Sequence, residues 1–408
     1  MLERDALPAG STAMSSGMIT ASNTRLQRAA GINDDSPELF AADIQAKAGG
    51  LADPAVLAAI CAESGLTIDW LVATHHLDLE LVAGAPYPGH SRQRTHAPPA
   101  RSGTDLMADL VRAVTDAGID IVTNATATHL ITDDVGRVSA VKYERPDGTV
   151  EQVSCQALVL ASCGFGGNPE LVVAYLPQMR DAIYFGHEGN KGDAVLWGQA
   201  LGADCRHMGS FQGHGSVATP HAITVSWALL GGGGVLVNGD GLRFADESLG
   251  ASELAATVCR QPGGVAWTVI DQRLHDGALR FADYQILNDL AAIKTGASAG
   301  ELAAACGMPP AALEITLAET AKQPALQAPY HAIRVTGALL QTQGGLAVDG
   351  RARVLKADGT ALPNLFAGGG AAQGISGDDG SGYLSCNGLL CAVTLGRIAG
   401  REAAALAG

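Results

Sequence analysis

A chain of 408 residues exceeds the usual limit for a single core, so two domains are expected. Hydrophobic residues make up 47% and charged residues 16%, with 52 glycines, which suits a large α/β enzyme with a buried sheet and many tight turns. Its 41 acidic against 26 basic side chains give a net charge of −15, which argues against nucleic acid or an anionic membrane as partner. The start, with Glu3, Arg4 and Asp5 and no apolar core after them, does not read as a secretory signal. Residues 222–238 are uncharged and mostly apolar, but the glycines at 231–234 and the turn signal Asn238-Gly239-Asp240-Gly241 read as buried strands, not a membrane span. The eight cysteines include no CxxC pair; they read as buried free thiols in a reducing cytoplasm, with no metal site.

In chain order, residues 1–5 read as the end of a buried strand followed by a turn. Residues 39–48 and 54–71 read as helices, the second with an apolar stripe of Val56, Leu57, Ile60, Ile68 and Leu71. A polar loop rich in proline and histidine covers 75–103. Thr104-Asp105 is expected to cap a helix over 106–117, which Gly118 ends. Strands are expected at 119–122, 129–132, 138–143 and 150–153. The apolar run 157–161 reads as a parallel strand entering the glycine turn 162–168 and then a helix. A hairpin is expected over 229–238 and 242–245, followed by a helical, alanine-rich stretch to about 329. A last apolar strand at 364–367, the glycines 368–370 and a helix over 387–406 complete the chain.

Taken singly, these glycine turns say only that a ligand approaches the backbone, since glycine and a helix N-terminus both favour close contact with an anion. The GxGxxG turn of a dinucleotide-binding unit is missing: Gly164, Gly166 and Gly167 fail its spacing, because Pro169 holds the third position.

Read together and in order, the motifs are more specific. Cys163–Asn168 is similar to "GGFGGN", Gly241–Glu247 to "GxRFxxE", and Gly396-Arg397-Ile398-Ala399-Gly400 closes the series. The chain thereby resembles, over essentially its whole length, the flavoproteins of the fumarate reductase, succinate dehydrogenase and 3-ketosteroid dehydrogenase family. The resemblance implies an α/β fold: a discontinuous Rossmann-like FAD-binding domain (1–217 and 336–408) with an inserted α+β cap domain (218–335). It implies FAD, with Glu3 on the adenosine ribose, and Ser11, Ser15, Ser16 and Gly17 near the diphosphate and ribityl groups; non-covalent binding is expected because His129 and the other histidines show no attachment motif. Ala161, Ser162, Gly164, Asn168, Asp193, Gly368 and Gly369 join that set. Asn387, Gly388 and Leu389 offer helix-start amides to the flavin pyrimidine edge.

Catalytic positions depart from the family pattern. Ala251 stands where the family has a proton-delivering arginine or a basic tyrosine, and Gln341 where it has the "HTMGG" histidine. Tyr383 stands at its carboxylate-binding arginine, a position where ketosteroid dehydrogenases carry a tyrosine. His214 keeps the place of the "QFHPT" histidine. With those cations gone, a dicarboxylate is a poor substrate, and a neutral carbonyl compound, steroid-like on one side of the resemblance, fits better. Tyr383, His214 and Tyr87 are the catalytic candidates. Ser252 and Glu253 beside Ala251 read either as replacements or as helix caps. Electron donor and acceptor are left open. Two rival readings remain: a fumarate reductase-like enzyme on an organic acid, and a truncated or degenerate chain without FAD, since the first strand and glycine turn are missing; residues 1–5 read like the middle of a unit, and a native start upstream would remove that objection.

Overall fold

The computed structural model describes residues 1–84, 86–320 and 324–408. The chain divides into two compact units, one built from residues 1–175, 186–211 and 341–408, the other from 176–185 and 212–340.

In the first unit, the strand Leu158–Leu160 runs parallel to Ala361–Ala367, and Arg353–Leu355 adds antiparallel beyond it. Nearly continuous apolar runs suit strands covered on both faces. The helices Pro37–Lys47, Pro54–His75 and Asn387–Ala407 bring Phe40, Ile44, Ile60, Leu395 and Ile398 into one core with Leu365 and Phe366. A three-stranded meander, Thr126–Thr132, Val138–Glu144 and Val150–Ser154, is tied to this core by buried Asn364. The Asn364 amide accepts from the Val138 N–H at 2.9 Å and donates to the Val138 and Gln156 carbonyls at 2.7 and 2.8 Å. Those bonds allow a polar side chain in an apolar core. At the chain start, Leu2 bridges Val122 in parallel, and the Glu3 amide bonds the Val122 carbonyl at 2.9 Å. The strand expected at 119–122 is reduced to that bridge.

The helix expected at 106 starts earlier, at Gly103, because Ser102 caps it by accepting from the Asp105 amide at 3.2 Å. Pro54–His75 runs four residues beyond its predicted end, to a left-handed His76. It is the one helix among the described residues long and apolar enough to cross a membrane, and half of that apolar window is buried in the fold.

The second unit is a mixed sheet in the order Ile223–Thr224, Phe211–Ala218, Tyr330–Thr342, Val265–Asp271, Val235–Val237. Alternate residues of Val265–Asp271 serve two cores: Ala266 and Ile270 in one, Trp267 and Val269 in the other. The hairpin expected from residue 229 needs correction. Ala228–Gly231 is a short helix whose Leu229 and Leu230 are buried, and only Val235–Val237 is strand, with Val237 bridged to Arg243 across the Asn238 turn. Burial of adjacent leucines in a turn of helix overrides their strand propensity here.

The small sheet Ile19–Thr20, Thr95–Ala97, Glu80–Leu81 buries His96 completely. Thr24 Oγ1, which accepts from the Gln27 amide, lies 2.9 Å from His96 Nε2. Burial pushes the imidazole down to about 4. A depressed imidazole contributes stability above its unfolded value near 6.5 that is lost as pH falls toward the folded value. His96 alone therefore removes about 2 kcal/mol between pH 7 and pH 5. In His96→Gln the loss in thermal midpoint over that interval should shrink by roughly 2 °C; an unchanged acid slope would show that His96 does not titrate on unfolding.

Candidate functional site

In the first unit the predicted glycine segments meet at one junction. Cys163 takes a left-handed φ of 62°, which turns the chain after Leu158–Leu160. A β-carbon on Gly164 would collide with Thr342 Oγ1, and one on Gly370 would come within 2.8 Å of the Gly164 amide. The Thr342 hydroxyl accepts from the Phe165 amide at 3.2 Å, and the Gly192 amide bonds the Gly164 carbonyl at 3.1 Å. Segments far apart in sequence thus converge at the C-terminal ends of the parallel strands, where open α/β sheets bind ligands.

The other predicted cofactor residues differ in how they are engaged. Ser11 Oγ accepts from the His187 amide at 3.1 Å and Asn190 Nδ2 at 2.8 Å. Ser15 Oγ donates to the Thr12 carbonyl at 2.7 Å and accepts from the Gly17 amide at 3.0 Å. Gly17 has φ 63°, and a β-carbon there would lie 2.8 Å from the Ser102 carbonyl. Ser16, Ala161 and Ser162 are exposed. Glu3 accepts from the Asp5 amide at 2.9 Å. Asn168 caps Pro169–Tyr175, accepting from the Glu170 and Leu171 amides at 3.1 and 3.2 Å. Asp193 opens the helix Asp193–Ala200, and burial raises its carboxyl. Gly368 bonds the Leu160 carbonyl at 3.1 Å, and Gly369 has φ 59°.

The helix Asn387–Ala407 begins beside two phenols. Its N-cap, Cys386, is left-handed. Burial raises the Tyr383 phenol well above its ordinary value, Cys386 adds to the rise, and the Gly388 and Cys386 amides donating to the phenol oxygen oppose it. Burial also raises Tyr87, again with Cys386 adding. The loop that carries Tyr87 is docked by His90, whose Nε2 lies 3.1 Å from the Ser385 carbonyl. The Tyr87 O–H donates to Met18 Sδ at 3.5 Å, and each phenol lies near enough to Cys386 to feel it. Leu389 packs on the cluster of Ile19 and Ile68.

Asn387 stands out. It is 0% exposed, and neither Oδ1 nor Nδ2 has a partner among the described residues. Gln343 Nε2, Gln373 Oε1 and Ser376 Oγ are likewise buried without one. Sequence reasoning missed these last three; their signal is polar residues within apolar, glycine-rich runs. A buried amide left unmet costs about 1–3 kcal/mol.

His214 lies in the second unit, on Phe211–Ala218. Its Nδ1 accepts from the Ser216 amide at 3.1 Å, and burial pushes the ring down to about 4. Near Ala251, Ser252 Oγ accepts from the Gly213 amide at 2.9 Å, and Glu253 accepts from the Gly250 amide as a capping box. Both side chains serve the start of the helix Ala251–Cys259.

The model of the FAD binding domain family matches residues 2–382. The probable fumarate reductase Ifc3 of Shewanella frigidimarina is 29% identical over 99% of this chain and 70% of its own length. The open conformation of a flavocytochrome c3 fumarate reductase superposes with a TM-score of 0.85 at 27% identity, covering 100% of this chain and 73% of that one. The 3-ketosteroid-Δ4-(5α)-dehydrogenase of Rhodococcus jostii, solved with 4-androstene-3,17-dione, has a TM-score of 0.77 at 24% identity, over 99% of this chain and 91% of its own, and shares the fold.

The residues fit FAD. The glycine junction admits close backbone approach, and the buried amide of Asn387 calls for a polar partner that none of the described residues supplies. Asn387→Leu separates the two roles. Without FAD the variant should be as stable as wild type or more so, since the unmet amide is gone. With FAD, the gain in thermal midpoint should fall and bound flavin absorbance weaken by about tenfold in affinity. Full flavin retention would remove Asn387 from the cofactor site.

Proposed function

The chain belongs to the FAD binding domain family, and from that premise we propose that this FAD-dependent oxidoreductase reduces a carbon–carbon double bond conjugated to a neutral carbonyl group. The observation that carries the reading is the Tyr383 phenol, kept protonated by burial at the start of the helix Asn387–Ala407. FAD, when bound, supplies the hydride from N5 and is restored by a separate electron donor.

This chain's residues supply the protonic half. As hydride reaches the β-carbon, negative charge grows on the carbonyl oxygen. The Tyr383 O–H is the donor for that oxygen, while the Gly388 and Cys386 amides hold its own oxygen in place. The α-carbon then takes a proton, and the double bond becomes CH–CH. Tyr87, raised by burial, retains a phenolic proton at neutral pH and is the candidate to deliver it. His214 is neutral near pH 7; because Nδ1 accepts from Ser216, its proton sits on Nε2, making the ring a hydrogen-bond donor and a weak base.

The likeness to Ifc3 favours a second reading, an organic acid as substrate. Against it, Ala251, Gln341 and Tyr383 are uncharged where the family pattern has cations, and a carboxylate needs such partners.

Two outcomes are expected. Tyr383→Phe should lower turnover of an enone such as 2-cyclohexenone by about 100-fold; turnover near wild type would remove its role. In stopped-flow absorbance, the dithionite-reduced protein should be reoxidised by 2-cyclohexenone and left reduced by fumarate. The reverse pattern would establish the organic-acid reading.

A further inference from the structure

The surroundings of His214 within the second unit carry an inference about what that ring is built to meet; it rests on the neutral-carbonyl reading. Trp227 sits at the start of the short helix Ala228–Gly231, half-buried against the core of Leu229, Leu230 and Leu254. Its indole meets the His214 imidazole edge-to-face, with ring centroids 5.9 Å apart and planes at 89°. On the strand, Ser216 is fixed in turn: its hydroxyl lies 2.9 Å from Thr268 Oγ1, while its amide donates to His214 Nδ1. A β-carbon on neighbouring Gly215 would come within 3.1 Å of Leu254, so the strand lies tight on the helix Ala251–Cys259.

We infer that Trp227 is a positioning and specificity-determining residue: its indole fixes the plane of His214 and presents an apolar aromatic wall beside it, selecting a planar, uncharged unsaturated carbonyl compound over a carboxylate. An edge-to-face pair adds a directional attraction beyond burial, which favours one ring orientation. The helix Ala251–Cys259 brings Ser252 and Leu254 to this strand, and residues 225–229 bring Trp227. Burial and the Ser216 amide account for the state of His214, with no carboxylate or cation contributing. An indole also attracts an imidazolium, yet here exclusion of water prevails, so the ring remains a neutral N–H donor. Such a donor suits a carbonyl oxygen, whereas a carboxylate would favour the charged ring.

The test uses the FAD-loaded full chain. Nitrogen-resolved NMR of the histidine side chains should show His214 with its proton on Nε2 from pH 7 down to about 5. In Trp227→Ala its titration midpoint should rise by about one pH unit or more, and in Trp227→Phe it should stay near wild type. With 2-cyclohexenone, Trp227→Ala should raise KM about tenfold and change kcat less than about threefold, with Trp227→Phe restoring KM. A His214 titration unmoved in Trp227→Ala overturns the positioning role, and an unmoved KM overturns the specificity role. Should the wild type fail to reduce 2-cyclohexenone, the neutral-carbonyl reading falls with the specificity role, and the NMR arm still decides the positioning role.

Discussion

The cofactor end of the first unit depends on the close approach of backbone at Gly164, Gly370 and Thr342. No side chain fits at either glycine without striking a neighbour, and the Thr342 hydroxyl takes the Phe165 amide. Three stretches are locked there: the turn after Leu158–Leu160 and, more than a hundred residues later, the return of the chain at 341 and the turn after Ala361–Ala367. The parallel register that sets Leu160 opposite Ala367 delivers both turns to the same end of the sheet. Loops 186–190 and 10–17 are then tied to this end through Ser11. A substitution at either glycine would disturb the strands and the loops together, so fold and site share one constraint.

A second theme is protonation set by burial. The chain carries −15, yet Tyr383, Tyr87 and His214 are shifted first by loss of water, and each shift favours the uncharged form. Arg94 shows the contrast. It is fully buried but stays paired, with Asp35 at 2.7 Å and Asp43 at 2.5 Å, and lies over the Phe40 ring at 4.6 Å. The protein thus buries charge only where partners neutralise it, and keeps its candidate chemical groups neutral.

Much of this was legible in the sequence, for identifiable reasons. The stripe from Val56 to Leu71 repeats at helical spacing and is buried in the helix Pro54–His75. The apolar run before Cys163 marks a strand because parallel strands are covered on both sides. Cap positions were less legible, since Ser102, Thr104 and Asp105 are all good caps and only geometry selects Ser102. The stretch from 229 misleads because leucine, valine and glycine in succession have no periodicity to separate helix from strand. At the site, glycine turns and a serine loop are visible as patterns. The buried, unpartnered amide of Asn387 is not, because composition does not tell which polar side chain the fold will leave without a partner.

Ser252 and Glu253 illustrate how the fold narrows the chemistry. From sequence alone either side chain is a plausible stand-in beside Ala251. In the structure Glu253 accepts from the Gly250 amide, and Ser252 accepts from the Gly213 amide, one residue before His214. A carboxylate that accepts from an N-cap amide is held in place as part of a capping box, which suits a structural role. The same bonds position the strand that carries His214 against the helix that carries Ala251. Ala251 therefore opens a helix whose neighbouring polar side chains, Ser252 and Glu253, are both taken up by backbone amides, one of them on the strand that carries His214.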